Sequence, residues 1–266
     1  MRVVAPGALT RPWTCCYGRE MDPPQYFLGP RKSLWRDRLQ ALLEVLVVAG
    51  LLSSAIAYLP FALSGINHEA LVGKARVIAL FILVEACITV ALLMLILRAH
   101  GESLRYLGWR SNRLGADVFI GLLVVPVLFL MSVLVSHFFR SFLPRYYSEQ
   151  NLLLETIRSP GDLALFIVSA LFAGGIKEEL QRAFVLVRFR DYLGGTTVGL
   201  ILWSTFFAYG HYLQGVQGSV VAGLYGFLFG VIYLVRGSLV APVVAHSVYD
   251  AAALLAYWFL KASAEY

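Results

Sequence analysis

The chain has 266 residues, of which 59% are hydrophobic and 14% charged, with a mean hydropathy of +0.73 and a formal net charge of +6. A water-soluble domain carries roughly 25% charged residues, so this composition excludes a fold whose whole outer surface faces water. The positive excess does not require nucleic acid, because no basic stripe is interleaved with aromatics and Lys and Arg collect in the cytoplasmic loops of membrane proteins.

The expected fold is all-α, a polytopic transmembrane bundle of about seven to eight spans at roughly 20 residues each. Residues 1–38 are polar and rich in Pro and Arg, and read as a tail, disordered at least to residue 20. No apolar stretch follows Met1 closely enough for a cleaved signal peptide. Cys15 and Cys16 are plain thiols in that tail, and Cys87, inside an apolar run, is expected to pack. A helical membrane domain fills 39–266.

The first apolar run is Leu39 to Leu63, with Pro60 near its end, where a kink is tolerated, and the second is Val77 to Leu97. Between the second and third, Leu104, Leu107 and Trp109 alternate with Arg105, Arg110 and Arg113, the pattern of an amphipathic segment at the membrane interface. The third run is Ala116 to Phe139, followed by a polar, aromatic loop or interfacial helix over 140–160. The remaining runs are Leu163 to Phe189, Thr197 to Leu213, Val220 to Val235 and Leu239 to Leu260. Basic residues before the first span, between the second and third, after the fourth and after the sixth fall on one side of such a bundle. The positive-inside rule puts that side, and the N-terminus, in the cytoplasm.

An ionised side chain at mid-bilayer costs roughly 2.5–3.5 kcal/mol on insertion scales, so it needs a partner and usually marks function. Four groups qualify. Glu178, Glu179 and Arg182, with Lys177 beside them, lie at helical spacings that bring both carboxylates within reach of the guanidinium. His211 closes the fifth run, one turn after Phe207, while His246 and Asp250 share one face of the seventh. Glu85 stands alone in the second and is expected to hydrogen-bond a neighbouring helix. His68, His100 and His137 sit at span ends or in loops and read as interfacial. A carboxylate and an imidazole sharing a water can deprotonate it for attack on a carbonyl, and a second His–Asp pair can stabilise the resulting oxyanion. The same donors also suit Zn²⁺, with Glu178, His211 and His246 as the candidate ligands, although no H-E-x-x-H motif is present.

Glu178-Glu179 with Arg182, Phe207-x-x-x-His211 and His246-x-x-x-Asp250, in that order on successive apolar runs, resemble the CPBP intramembrane proteases. This family comprises the CAAX prenyl endopeptidases and bacteriocin-processing relatives, also called the Abi family. The resemblance covers about residues 100–256. It implies an intramembrane endopeptidase acting on a membrane-associated or lipidated peptide in the bilayer. Glu178 and His211 would activate water, Glu179, Arg182 and Phe207 would support the site, and His246 and Asp250 would stabilise the oxyanion. No cofactor is required on that mechanism; a zinc-dependent version is the alternative. The family pattern has three residues between its second Glu and the Arg, and this chain has two. Either the arginine is displaced by one position, the preferred alignment, or Lys177 occupies the first glutamate's place. The size and tail look prokaryotic, so the expected location is a bacterial cytoplasmic membrane. A non-catalytic scaffold or immunity protein of the same fold is the other reading. A proton-coupled transporter is weaker still, since no internal repeat is evident.

Overall fold

Every apolar run found in the sequence is helical. A computed structural model describes residues 34–63, 74–109, 112–148 and 151–264, and among them there is no strand. Residues 1–33, with Cys15 and Cys16, lie outside the described residues, as do His68 and Arg110. The helices are α1 (Trp35–Val48), α2 (Leu51–Leu63), α3 (Ala75–Ala99), α4 (Leu114–Phe142) and the single turn α5 (Leu152–Glu155). Residues 160–193 then run as one helix, α6, which is α-helical over Pro160–Ala170 and Glu179–Arg188 and widens to π-helical turns over Leu171–Glu178 and Phe189–Leu193. Next come α7 (Thr196–Gly210), α8 (Gly215–Arg236) and α9 (Val240–Ala264).

Among the described residues four helices are long and apolar enough to cross a membrane: α3, α4, α8 with the turn before it, and α9. The pair α1–α2, bent by 41°, makes a fifth if it is one span. The protein is an integral membrane protein. The expected seven to eight spans are not reached on length and composition. The reason is local: α6 carries Lys177, Glu178, Glu179, Arg182 and Arg188, and the 15 residues of α7 cover only about 22 Å at 1.5 Å each.

The α1–α2 bend sits at Gly50, between the two helices, while Pro60 lies inside α2. Gly50 has φ +101, in the left-handed region that glycine tolerates. The carbonyl freed at Val48 accepts a hydrogen bond from Gln181 Nε2 at 2.5 Å, so the broken helix end is tied to α6. Cys87 faces outward instead of packing. The expected interfacial segment is a run of turns over 101–108, and Leu107 is fully buried in the core. Gly108 (φ +87) accepts from the Leu239 N–H at 3.0 Å and pins this loop to the start of α9.

All ten residues of Glu179–Arg188 are buried, so this stretch is the axis around which the other helices pack. At its C-terminal end Arg188 donates to both oxygens of Glu102, at 2.9 and 2.8 Å, and to Glu44 at 2.8 Å. His100, expected to be a bland interfacial residue, closes the same cluster at 2.6 Å from Glu44. Nearby, burial and the adjacent Asp191 carboxylate push the Tyr106 phenol up, so it stays protonated and donates to Asp191 at 2.5 Å.

At the other end of α6, Ser159 caps the helix by accepting from the Asp162 N–H at 3.2 Å. The Asp162 carboxylate accepts from Arg76 Nε at 3.1 Å and from the Arg158 N–H at 3.3 Å. Its contact with Ser159, then with Arg76 and Arg158, outweighs burial and holds its carboxyl below the ordinary 3.8. A depressed folded-state value stabilises the fold above the unfolded value, and the stabilisation is lost as pH falls through the folded one. The thermal midpoint in detergent is therefore expected to fall, as pH drops below the ordinary carboxylate value, by a step that Asp162→Asn lacks. Identical acid limbs for the two proteins would show that this link between α3 and α6 contributes nothing.

Candidate active site

Glu179 is completely buried, and both its oxygens are engaged. Oε1 accepts from His246 Nδ1 on α9 at 2.8 Å, and Oε2 is paired with Arg182, itself completely buried one turn along α6. The Arg182 guanidinium carbon lies 5.3 Å from the ring centroids of both Phe207 on α7 and Phe229 on α8. Cation–π attraction of this kind is strongest where water is excluded. Phe229 in turn stacks on the His246 ring at 4.9 Å, and Phe207 meets it edge-on at 6.3 Å. One arginine, two phenylalanines and one histidine thus tie four helices into one stack.

The stack fixes His246. A carboxylate only accepts, so Nδ1 carries its proton toward Glu179 and the ring cannot turn without breaking that bond. Nε2 then points to Asp250 Oδ2 at 3.6 Å and Glu178 Oε2 at 3.8 Å. Both gaps exceed a direct hydrogen bond, and a single small oxygen seated beside them can contact all three groups. The Glu178 side chain is 17% exposed and that of Asp250 26%, against 0% for Glu179. Glu178 is the accessible carboxylate of the adjacent pair.

Backbone shape makes this approach possible. Gly174 and Gly175 lie in the wide turns of α6, directly under α9. A Cβ on Gly174 would stand 2.5 Å from Asp250 Oδ2 and 3.3 Å from His246 Nε2, and one on Gly175 would collide with Ser247. A larger residue at 174 would fill the space in front of His246.

His211 is placed differently. It follows the last turn of α7, half-exposed, and its Nδ1 donates to the Phe207 carbonyl at 2.8 Å. That bond leaves Nε2 of the neutral ring free to accept a proton. Its ring packs on Phe207 at 4.4 Å, but it forms no ion pair with either glutamate. The structure therefore gathers Glu178, Glu179, Arg182, His246 and Asp250 within 4 Å of a neighbour in the group, and holds His211 one aromatic ring away. Among the described residues no three His, Cys, Asp or Glu side chains are grouped to hold a metal ion. The trio of Glu178, His211 and His246 does not form a ligand set as placed.

Sequence reading passed over Phe229 and Gly174. A signal for the first was present in Gly226-x-x-x-Gly230, the spacing that lets helices approach closely in membranes. A Cβ on Gly226 would lie 3.1 Å from Phe207 Cδ1, and one on Gly230 would lie 3.7 Å from Arg182 Cδ.

Residues 159–252 match the family model described as Type II CAAX prenyl endopeptidase Rce1-like. Over this segment the chain is similar to the CAAX proteases. The matched segment spans about a third of the chain and contains Glu178, Glu179, Arg182, Phe207, His211, His246 and Asp250. No curated protein and no solved structure matches the chain.

Proposed function

We propose that this protein is an intramembrane endopeptidase of the CAAX-protease type, cleaving a peptide bond in a lipidated or otherwise membrane-associated substrate. One observation carries the reading: His246 Nε2 faces two partly accessible carboxylates while Nδ1 is locked by a third, fully buried one. Such an arrangement is preorganised for charge that develops at a reacting carbonyl.

On this reading Glu178 is the general base and takes a proton from a water that also contacts Nε2 of His211. His211 closes on that water when substrate fills the space beside Phe207. The hydroxide attacks the scissile carbonyl, and His246 donates from Nε2 to the oxyanion. Asp250 holds positive charge on the imidazole. Collapse of the tetrahedral intermediate expels the amine, which receives the proton held by Glu178. Glu179 and Arg182 position His246 and do not touch the reacting atoms. No step passes through a metal.

The bilayer delivers the substrate laterally, and the apolar surround limits water to the reacting one. We further propose that α6 and α7 complete about seven passes with the shorter helices shielded by protein. The N-terminus then lies in the cytoplasm of a bacterial inner membrane, with the Arg188 end of α6 on that side.

The deciding experiment incubates purified protein in liposomes with a panel of membrane-anchored peptides, prenylated and unprenylated. Each peptide is tested with and without a chelator. Cleavage that survives chelation supports the carboxylate mechanism. Cleavage lost to chelator and restored by Zn²⁺ would assign the residues to a metal. No cleavage of any peptide by folded protein would favour the scaffold reading.

A further inference from the structure

Lys177 sits where a membrane helix should least accept a cation, and its partner is not the nearest carboxylate in sequence. Its ammonium lies 3.1 Å from Glu85 Oε2 on α3 and 3.8 Å from Glu178 Oε1 on its own helix. All three side chains are largely buried, at 12%, 10% and 17% exposure. Glu85 is held in turn by the hydroxyls of Ser53 at 2.7 Å and Thr89 at 2.9 Å, which lie 2.6 Å from each other. A Cβ on Gly50 at the α1–α2 bend would stand 3.5 Å from Glu85 Oε1. Glu85 is therefore a fixed carboxylate with several supports, whereas among the described residues Glu178 has no hydrogen-bond donor this close.

We infer that Glu85 is a positioning residue for the cavity carboxylate: it holds Lys177 back from Glu178. The inference rests on the reading of Glu178 as the base. One cation serves two carboxylates, and the anchored one takes the closer share. In a medium poorer than water at screening, a charge moved by a fraction of an ångström changes the energy of its neighbour appreciably. With Glu85 in place, Lys177 stays 3.8 Å from Glu178, near enough to act on it through space. The cation is also distant enough to leave the carboxylate oxygens open to water. Without Glu85, Lys177 would close on Glu178 as a direct salt bridge and occupy the oxygen that must accept the proton. Without Lys177, Glu178 would keep only the His246 ring, 3.8 Å away and shared with Asp250, as a cationic neighbour, and would take up a proton more readily.

The two deletions therefore act with opposite sign on Glu178, which loosening of the fold would not do. Hydrophobic carbodiimides react with protonated carboxyls inside membranes, and tandem mass spectrometry reads the adduct at single residues. We expect labelling of Glu178 at neutral pH to rise several-fold in Lys177→Met and to fall below wild type in Glu85→Gln. Glu85→Asp keeps the charge but shortens its reach. It should shift labelling the same way as Glu85→Gln, and it stands in should that variant fail to fold. In the peptide assay Glu85→Gln should lower kcat with KM unchanged. Labelling that is unchanged or raised in the Glu85 variants overturns the inference. The labelling needs no activity, so the two proposals fail separately. An inactive wild type with the opposed labelling intact would count against the protease reading alone. An active wild type without it would count against the role of Glu85 alone.

Discussion

Glu178→Gln is expected to lower kcat by about 10³-fold, the usual scale for loss of a general base, while KM and the thermal midpoint stay at wild-type values. The side chain is partly exposed, and its contacts to Lys177 and His246 are both 3.8 Å, so an amide of the same shape breaks no hydrogen bond. Glu179→Gln should behave otherwise. It removes the charge facing a fully buried guanidinium and weakens the bond that orients His246, so folding and turnover fall together. Steady-state kinetics on membrane-anchored peptide, paired with thermal unfolding, separates the two. A Glu178→Gln enzyme that still turns over, beside a folded but inactive Glu179→Gln, would exchange the assigned roles.

Arg182→Ala should be the most destabilising single change in the bundle. Removing one partner of a buried ion pair costs about 3–5 kcal/mol, because the other charge is left without compensation. Here the stranded group would be Glu179, at 0% exposure, and the rings of Phe207 and Phe229 would lose the cation they share. Arg182→Met combined with Glu179→Gln removes both charges at similar volume and should regain most of that stability without regaining activity. Equilibrium unfolding in detergent measures both. A loss below about 1 kcal/mol in Arg182→Ala, the range of an exposed pair, would mean that water reaches the site.

Much of the site was legible because ionisable residues in apolar runs stand out against lipid. Glu178, Glu179, Arg182, His246 and Asp250 were found this way and are joined in the structure. His211 was found by the same reasoning but is held apart, because its helix ends at Gly210 and a bond to the Phe207 carbonyl fixes its ring. Phe229 carries no charge, and its role depends on Arg182 arriving from another helix, which no local pattern encodes. Glu85 was expected to bond a neighbouring helix, and it does so through Ser53; its ion pair with Lys177 joins residues 92 positions apart, beyond the reach of helical spacing. The number of membrane passes was harder to read because hydropathy treats every apolar run as lipid-facing. The buried axis at Glu179–Arg188 faces protein on all sides.

The wide turns over Leu171–Glu178 bear on how such chains can be compared and changed. A π-turn closes its hydrogen bond over one residue more than an α-turn does. A residue can be gained or lost there while the flanking helix keeps its packing, so distance counted along the chain is elastic at this point and distance in space is not. The glutamate-to-arginine interval, one residue shorter here than in the family pattern, lies immediately after that elastic stretch. Alignments that insist on fixed spacing will misnumber the cavity carboxylate in relatives that resolved the surplus residue differently. Superposing the histidine and arginine of the stack will not.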